Sequence, residues 1–277
     1  MKNWKIEPQS STVAKYIDCY WFLEKVHGDV THEFPKLNPD PAGHLILSQP
    51  QQSYLYSLKT GPASGNGNHV ILPHGKTIIM DHRQPFLIFG IKFKVGAFYS
   101  LQFPTVPPLL DAVVPVDFKE LFQLSTFSQE ILVGNNTDKR EVCRDYCDTL
   151  LLPFLLKVYE DRHSNLVRRV LGLLVAKTPL SGLGNNLNCS QRTVERSFAR
   201  VTGFTLKQYS SMERLEALLD YVHKLDSTEI DWADTAFQFG FSDQPHLIRY
   251  LKSSLGTTPG KYTKERDLAI DSYGNFE

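Results

Sequence analysis

Several features that would fix the function of a 277-residue chain at a glance are missing from this one. Net charge is missing: 30 basic side chains stand against 30 acidic ones, so the formal charge is zero. A chain that bound nucleic acid by bulk attraction would be basic overall, so any such binding here must come from charge gathered on one face. Cysteine is scarce. Cys19, Cys143, Cys147 and Cys189 form no Cys-x-x-Cys pair, which leaves reduced thiols as the reading and gives a redox sensor no support. No apolar run approaches the roughly 20 residues of a membrane span. The opening Met1-Lys-Asn-Trp-Lys-Ile-Glu-Pro8 has no apolar core of a secretory signal, so a cytoplasmic protein without a membrane partner is expected. Gly-x-Ser-x-Gly, the P-loop and Gly-x-Gly-x-x-Gly are also absent, so catalysis has no positive signature and no cofactor is expected.

What is present divides into two halves. The first is crowded with chain breakers: Pro35, Pro39, Pro41, Gly43, Gly61, Pro62, Gly65, Gly67, Pro73 and Gly75. Between them lie short runs with strand character, Leu45–Ser48, Ser53–Leu58, His69–Leu72, Thr77–Met80 and Phe86–Val95, which predict a sandwich or small barrel. Ser10–Leu23 opens like a helix, but its Tyr-Trp-Phe end suits a strand equally. Gly96–Leu101 can open a helix. After Pro104, Pro107 and Pro108 the apolar spacing turns to three and four, over Phe118–Phe127 and Arg140–Tyr159, and continues past a linker expected near Glu160–Asn165. The fold class expected is α+β: a β-rich regulatory domain with some helices at 1–160, an all-α domain at 161–268 and a frayed tail at 269–277.

In the last third, two segments repeat one plan of apolar first helix, turn with small or polar residues, and second helix with outward arginines. The first runs from Leu180 to Phe198 and the second from Trp232 to Leu251. In the first, Ser190 suits a helix N-cap and Val194, Phe198 and Val201 share a buried face. That leaves Arg192, Thr193, Glu195, Arg196 and Arg200 outward. Arginine can grip guanine bidentately and glutamate can accept from cytosine. In the second, Gly240 suits a left-handed turn, Phe241 a plug between helices, and Leu247, Leu251 and Leu255 a buried stripe. Gln244, His246, Arg249 and Lys252 are then the outward candidates, with His246 equally suited to capping or packing. Pro245 fits a first helical turn. Between the units, Tyr209, Met212, Leu215, Leu219 and Val222 predict one stiff helix able to hold two reading heads a turn of DNA apart. From Ser190 to Arg214 five basic residues, Lys207 among them, stand against two acidic ones, a local excess of +3.

These units resemble the DNA-binding domain of AraC/XylS-type bacterial transcriptional regulators. The resemblance covers about Leu166–Arg266 and rests on Ser190, Arg196, Phe198, Gly203, Arg214, Ala236, Gly240, Phe241, Arg249, Gly256, Pro259 and Tyr262, with Leu255-Gly-Thr-Thr-Pro-Gly-Lys-Tyr262 the most characteristic run. It implies base readers at 192, 195 and 196 and at 245, 246 and 249, promoter DNA and RNA polymerase as partners, and an N-terminal domain for sensing or self-association. A small-molecule effector and a homodimer are compatible with it. Leu206 stands where the family often has proline, and Pro245 cannot hydrogen-bond a base. Phe89–Phe98, with Pro39–Leu47 upstream, resembles a β-rich regulator subfamily that often precedes such a domain.

The competing reading is a small-molecule-binding or cupin-like enzyme. His27, His32, His44, His69, His74 and His82 raise it, but a cupin-like centre needs a close His-x-His pair beside a carboxylate, and His32-Glu33 with His44 does not supply that spacing. Surface or structural histidines, and no metal, are expected. Tyr20, Trp21, Phe22, Phe34, Tyr54 and Tyr56 can line a pocket but read first as core or interface. Lys92 and Lys94 read as a solvated strand face.

Overall fold

The computed structural model describes residues 1–29, 32–103, 109–134, 139–225, 230–256 and 258–265. Pro104, Pro107, Pro108 and the expected tail lie outside them. Strands β1 (Lys2–Ile6), β2 (Ile17–Lys25), β3 (Lys36–Leu37), β4 (His44–Ser48), β5 (Ser53–Leu58), β6 (Gly61–Asn66), β7 (His69–Ile71), β8 (Ile78–Met80), β9 (Phe86–Phe93) and β10 (Val113–Pro115) form two antiparallel sheets. One has the order β1-β2-β9-β4-β7-β10 and the other β3-β8-β5-β6. Helices follow and flank them: α1 (Ser11–Ala14), α2 (Ala97–Leu101), α3 (Phe118–Leu121), α4 (Glu130–Val133), α5 (Arg140–Leu155), α6 (Arg162–Val175), α7 (Leu183–Asn186), α8 (Gln191–Thr202), α9 (Leu206–His223), α10 (Trp232–Gln238), α11 (Gln244–Leu255) and α12 (Pro259–Glu265).

The larger sheet is the middle of three layers, and the sequence of β2 shows why. Its side chains alternate between two apolar environments. Cys19, Trp21 and Leu23 join Ile46, Ile71 and Ile88 against Leu37, Tyr56, Ile78 and Met80 of the smaller sheet. Tyr20, with Leu45, Leu47, Phe89 and Ile91, faces Phe118, Leu132, Cys147 and Leu151 on the helices. A strand buried on both faces needs no polar positions, which is why Tyr20-Trp-Phe-Leu23 is apolar throughout. Asp148 of α5 ties the helical layer to the chain start. Its carboxylate accepts from the Gln9 and Ser10 amides, both at 2.8 Å, and from Tyr20 Oη at 2.7 Å.

Each strand expected from the sequence is present, and Ser10–Leu23 is both things in turn, a one-turn helix and then β2. Two expectations need correction. Helix over Phe118–Phe127 stops after one turn, because Gln123 takes a left-handed φ of 52°. The segment Glu160–Asn165 is an anchor rather than a linker. Glu160 accepts from Tyr16 Oη at 2.6 Å and pairs with Arg168 at 2.6 Å and Lys15 at 3.3 Å. Asp161 caps α6 through a capping box with Ser164.

Candidate nucleic-acid interface

The first unit begins with a single 3₁₀ turn at Leu180–Gly182 and one α turn, α7. Leu183 and Leu187 bury themselves against Val194, Phe198 and Val201 of α8 and Val167 and Val170 of α6. The chain turns so tightly between α7 and α8 that a Cβ on Gly184 would lie 2.8 Å from the Cys189 carbonyl oxygen and 2.9 Å from the Gln191 amide nitrogen. Ser190 then caps α8 by accepting from the Thr193 amide at 3.1 Å, a bond whose loss costs about 1 kcal/mol. With the apolar face fixed inward, Arg192, Thr193, Glu195, Arg196 and Arg200 are exposed, as the sequence predicts. Thr193 Oγ1 lies 2.8 Å from Ser190 Oγ, and Glu195 accepts from Gln191 Nε2 at 3.1 Å.

The second unit repeats the construction. Asp231 caps α10 and Asp243 caps α11, its carboxylate accepting from the His246 amide at 2.6 Å. Gly240 turns the chain with φ 71°, and Phe241 is buried between the helices with Leu247, Leu251 and Leu255. Gln244, Arg249 and Lys252 are exposed on α11. His246 is half-buried: its ring packs edge-on against Phe241 at 5.3 Å, and Nδ1 lies 3.2 Å from Ser242 Oγ. Arg214 of α9 stacks over Phe241 at 4.3 Å and Tyr250 at 5.0 Å, so this cation serves the core of the second unit.

Helix α9 joins the units. Thr205 and Gln208 form a capping box at its start, and Leu206 fills the first helical position, buried. All five residues of the predicted stripe, Tyr209 to Val222, are buried. Its 18 residues give a length of about 27 Å. Lys207 is exposed at its N-terminal end.

Sequence reasoning missed the seam between the two halves, because it is made of residues far apart in the chain. Tyr99 of α2 is buried in the same apolar cluster as Val167, Phe198 and Val201. Its hydroxyl donates to Asp161 Oδ2 at 2.7 Å and accepts from Arg200 Nε at 3.2 Å. Thr77 Oγ1, just before β8, donates to the Ser254 carbonyl of α11 at 2.7 Å. Lys92, expected on a solvated face, is instead largely covered, with 14% of its side chain exposed, and pairs with Asp40 at 3.1 Å, where β9 meets α9. Burial opposes that charge, but Asp40 and the more distant Glu216 outweigh it and hold the ammonium above the ordinary lysine value. At Asp40 burial is likewise outweighed, by Lys92 and His44, and the carboxyl lies well below its usual range.

Three buried histidines of the first half, His44, His69 and His74, find partners within the protein. His44 Nε2 lies 3.1 Å from Asp40, His69 Nε2 lies 2.7 Å from Tyr56 Oη, and His74 Nδ1 lies 2.8 Å from the Lys76 carbonyl. Among the described residues, no three His, Cys, Asp or Glu side chains stand where they could hold a metal ion. Tyr20, Trp21, Phe22 and Tyr56 are core, while Phe34 is exposed. All four cysteines are free thiols, and burial raises Cys19 to about 12 and Cys143 to about 11. No helix among the described residues is long and apolar enough to cross a membrane.

Two units of short helix, tight turn and capped helix, each presenting arginine outward, make a tandem helix-turn-helix arrangement. Residues 183–265 match the family described as a helix-turn-helix domain. Two transcription factors share sequence with it. The transcriptional activator NphR of a Rhodococcus species is 35% identical over 90 residues, which are 32% of this chain and 26% of NphR. The HTH-type transcriptional regulator RipA of Corynebacterium diphtheriae is 29% identical over 107 residues, 37% of this chain and 31% of RipA. The match thus spans between a quarter and a third of each relative. A crystal structure of ToxT from Vibrio cholerae aligns over 90% of this chain and 98% of its own, with 12% identity and a TM-score of 0.45.

Proposed function

We propose that the chain is a sequence-specific transcriptional regulator that sets α8 and α11 into successive major grooves of promoter DNA. One observation carries this reading: two capped helices with exposed arginine faces are mounted on the two ends of one continuous helix of about 27 Å, close to the roughly 34 Å repeat of B-DNA. Arg192, Glu195, Arg196 and Arg249 are the base readers, with Thr193, Gln244 and His246 beside them. Arg200, Lys207 and Lys252 take phosphates, which position the protein without reading sequence. The chain acts by binding rather than turnover, and its place is the cytoplasm.

The division of labour proposed is regulation in residues 1–160 and DNA binding in residues 161–268. The seam supports it, because the first half touches both reading helices, through Tyr99 to Arg200 and through Thr77 to Ser254. A small-molecule effector or a second copy of the chain would act by shifting those contacts, and RNA polymerase is the partner on which the DNA complex would act. Selection from random duplexes with the full chain tests the proposal. It should enrich one long motif with two blocks about a helical turn apart. Arg196→Ala should relax preference in one block and weaken binding by about 1–3 kcal/mol. Absence of any enriched sequence would contradict the reading and return attention to the histidine-rich first half.

A further inference from the structure

A hollow of about 800 Å³ lies in the groove between α6 and α8, walled on one side by the first helix-turn-helix unit and on the other by α6, which precedes that unit. Arg162 and Arg169 line one wall, and Arg196 and Arg200 line the other. No carboxylate is among the lining residues. The nearby Asp161 is occupied in capping α6 and in accepting from Tyr99. Arg162, Arg169, Arg196 and Arg200 are all exposed, and Arg200, which donates to Tyr99, is also drawn to the Asp161 carboxylate. Four guanidiniums around one groove give it a positive potential that favours an entering anion.

We infer that this groove takes a strand of the DNA phosphate backbone, beside the major groove that α8 reads. The inference rests on the DNA-binding reading and extends it to two arginines that neither unit contains. The geometry favours an extended polyanion. Arg162 and Arg169 stand two turns apart on one face of α6, about 10.5 Å along its axis, and Arg196 and Arg200 stand one turn apart on α8. A row of charges suits successive phosphates better than a single small anion does. Arg196 belongs to both surfaces, because it lies on the outward face of α8 and on the groove wall, so a helix seated in the major groove carries the groove to the flanking strand. Leu166 and Leu187 give the groove an apolar floor, on which the sugar edge of a backbone can rest. Arginine is also the side chain whose fork matches phosphate oxygens in pairs.

The test uses the full chain and the duplex enriched by selection. Each phosphate contact contributes about 0.9 to the slope of log affinity against log salt. Arg162→Ala/Arg169→Ala should lower that slope by nearly two while leaving the enriched motif the same. Between about 50 and 200 mM salt, wild type should therefore lose about tenfold more affinity than the variant. Arg162→Lys/Arg169→Lys keeps the charges and should recover most of the slope. Lys59→Ala/Lys119→Ala, two exposed lysines of the first half, should leave it unchanged. A slope equal to that of wild type in a folded Arg162→Ala/Arg169→Ala chain overturns the inference. So does calorimetric binding of inorganic tripolyphosphate that depends on these arginines while the DNA slope does not, since the groove would then be a small-anion site. Failure of wild type to bind any duplex selectively is a separate outcome and removes the DNA-binding reading itself.

Discussion

Arg196, Arg200 and Lys92 are each a lone cation in the sequence, and the fold gives them three different roles. Arg196 stands exposed on α8, Arg200 is shared with Tyr99, and Lys92 is half-buried against Asp40. Outward placement of Arg192 and Arg196 was legible, because 3.6-residue periodicity fixes one face of α8 once Val194, Phe198 and Val201 are recognised as core. The role of Lys92 was not, because alternation along β9 says which side of the sheet a residue faces but not what covers that side. Buried histidines give this scale a pH signature. Burial holds the neutral ring of His69, and pushes its titration down to about 4. At His82 burial and then Lys25 have the same effect, also to about 4. Between there and the ordinary value of about 6.5, the unfolded chain binds protons that the folded chain refuses. Stability is therefore full above about 6.5 and lost as pH falls towards 4, by up to about 1.4 kcal/mol per pH unit per histidine. Urea midpoints at pH 7 and pH 5 should differ accordingly, and His69→Gln/His82→Gln should flatten the difference. An unaltered pH dependence in that variant would show that other groups carry it.

Among the elements, the two tight turns separate two reasons for glycine. Gly240 has φ 71° with open space around its missing side chain, so Gly240→Ala should cost about 1–2 kcal/mol of backbone strain and leave the second unit folded. Gly184 has no space, because a Cβ there meets backbone atoms of Cys189 and Gln191. Gly184→Ala should push α7 away from α8 and destabilise the first unit by more than Gly240→Ala does the second. Thermal unfolding of the two variants compares them directly, and equal losses would refute the distinction. The left-handed turn at Gly240 was readable in the sequence from its place after an apolar helix. The crossing at Gly184 was not, since close approach of two backbone segments leaves no local mark. The same limit hid β6, whose Gly61-Pro-Ala-Ser-Gly-Asn66 reads as loop yet pairs along its length with β5. Its partner strand, not its propensity, makes it a strand.

Taken whole, the molecule is joined by a shared core rather than by a tether. Tyr99 is buried among Val167, Phe198 and Val201, so the first core of the helical half is incomplete without a residue from the β-rich half. The two halves should therefore unfold together. Chains carrying Trp21 alone or Trp232 alone as fluorophore report the two halves, and their urea midpoints should coincide. Tyr99→Ala removes the ring and the bridge from Asp161 to Arg200, and should move the Trp232 midpoint below that of Trp21. Coincident midpoints in that variant would mean that the seam does not couple them. Fold class and the two helix-turn-helix units were legible because helical periodicity, caps and turns are local. The seam was not, because residues 99 and 200 meet only once both halves have folded.

The central claim is that one rigid chain reads two successive grooves, and the spacing of its DNA site tests it most directly. The measurement is the affinity of the full chain for duplexes in which five or ten base pairs are inserted between the two selected blocks. Five base pairs turn the second block to the far side of the helix. Because α9 fixes the distance between units, both insertions should reduce affinity to that of a duplex carrying one block alone. Affinity unchanged by either insertion would contradict the account, since the two units would then act as independent heads on a flexible joint.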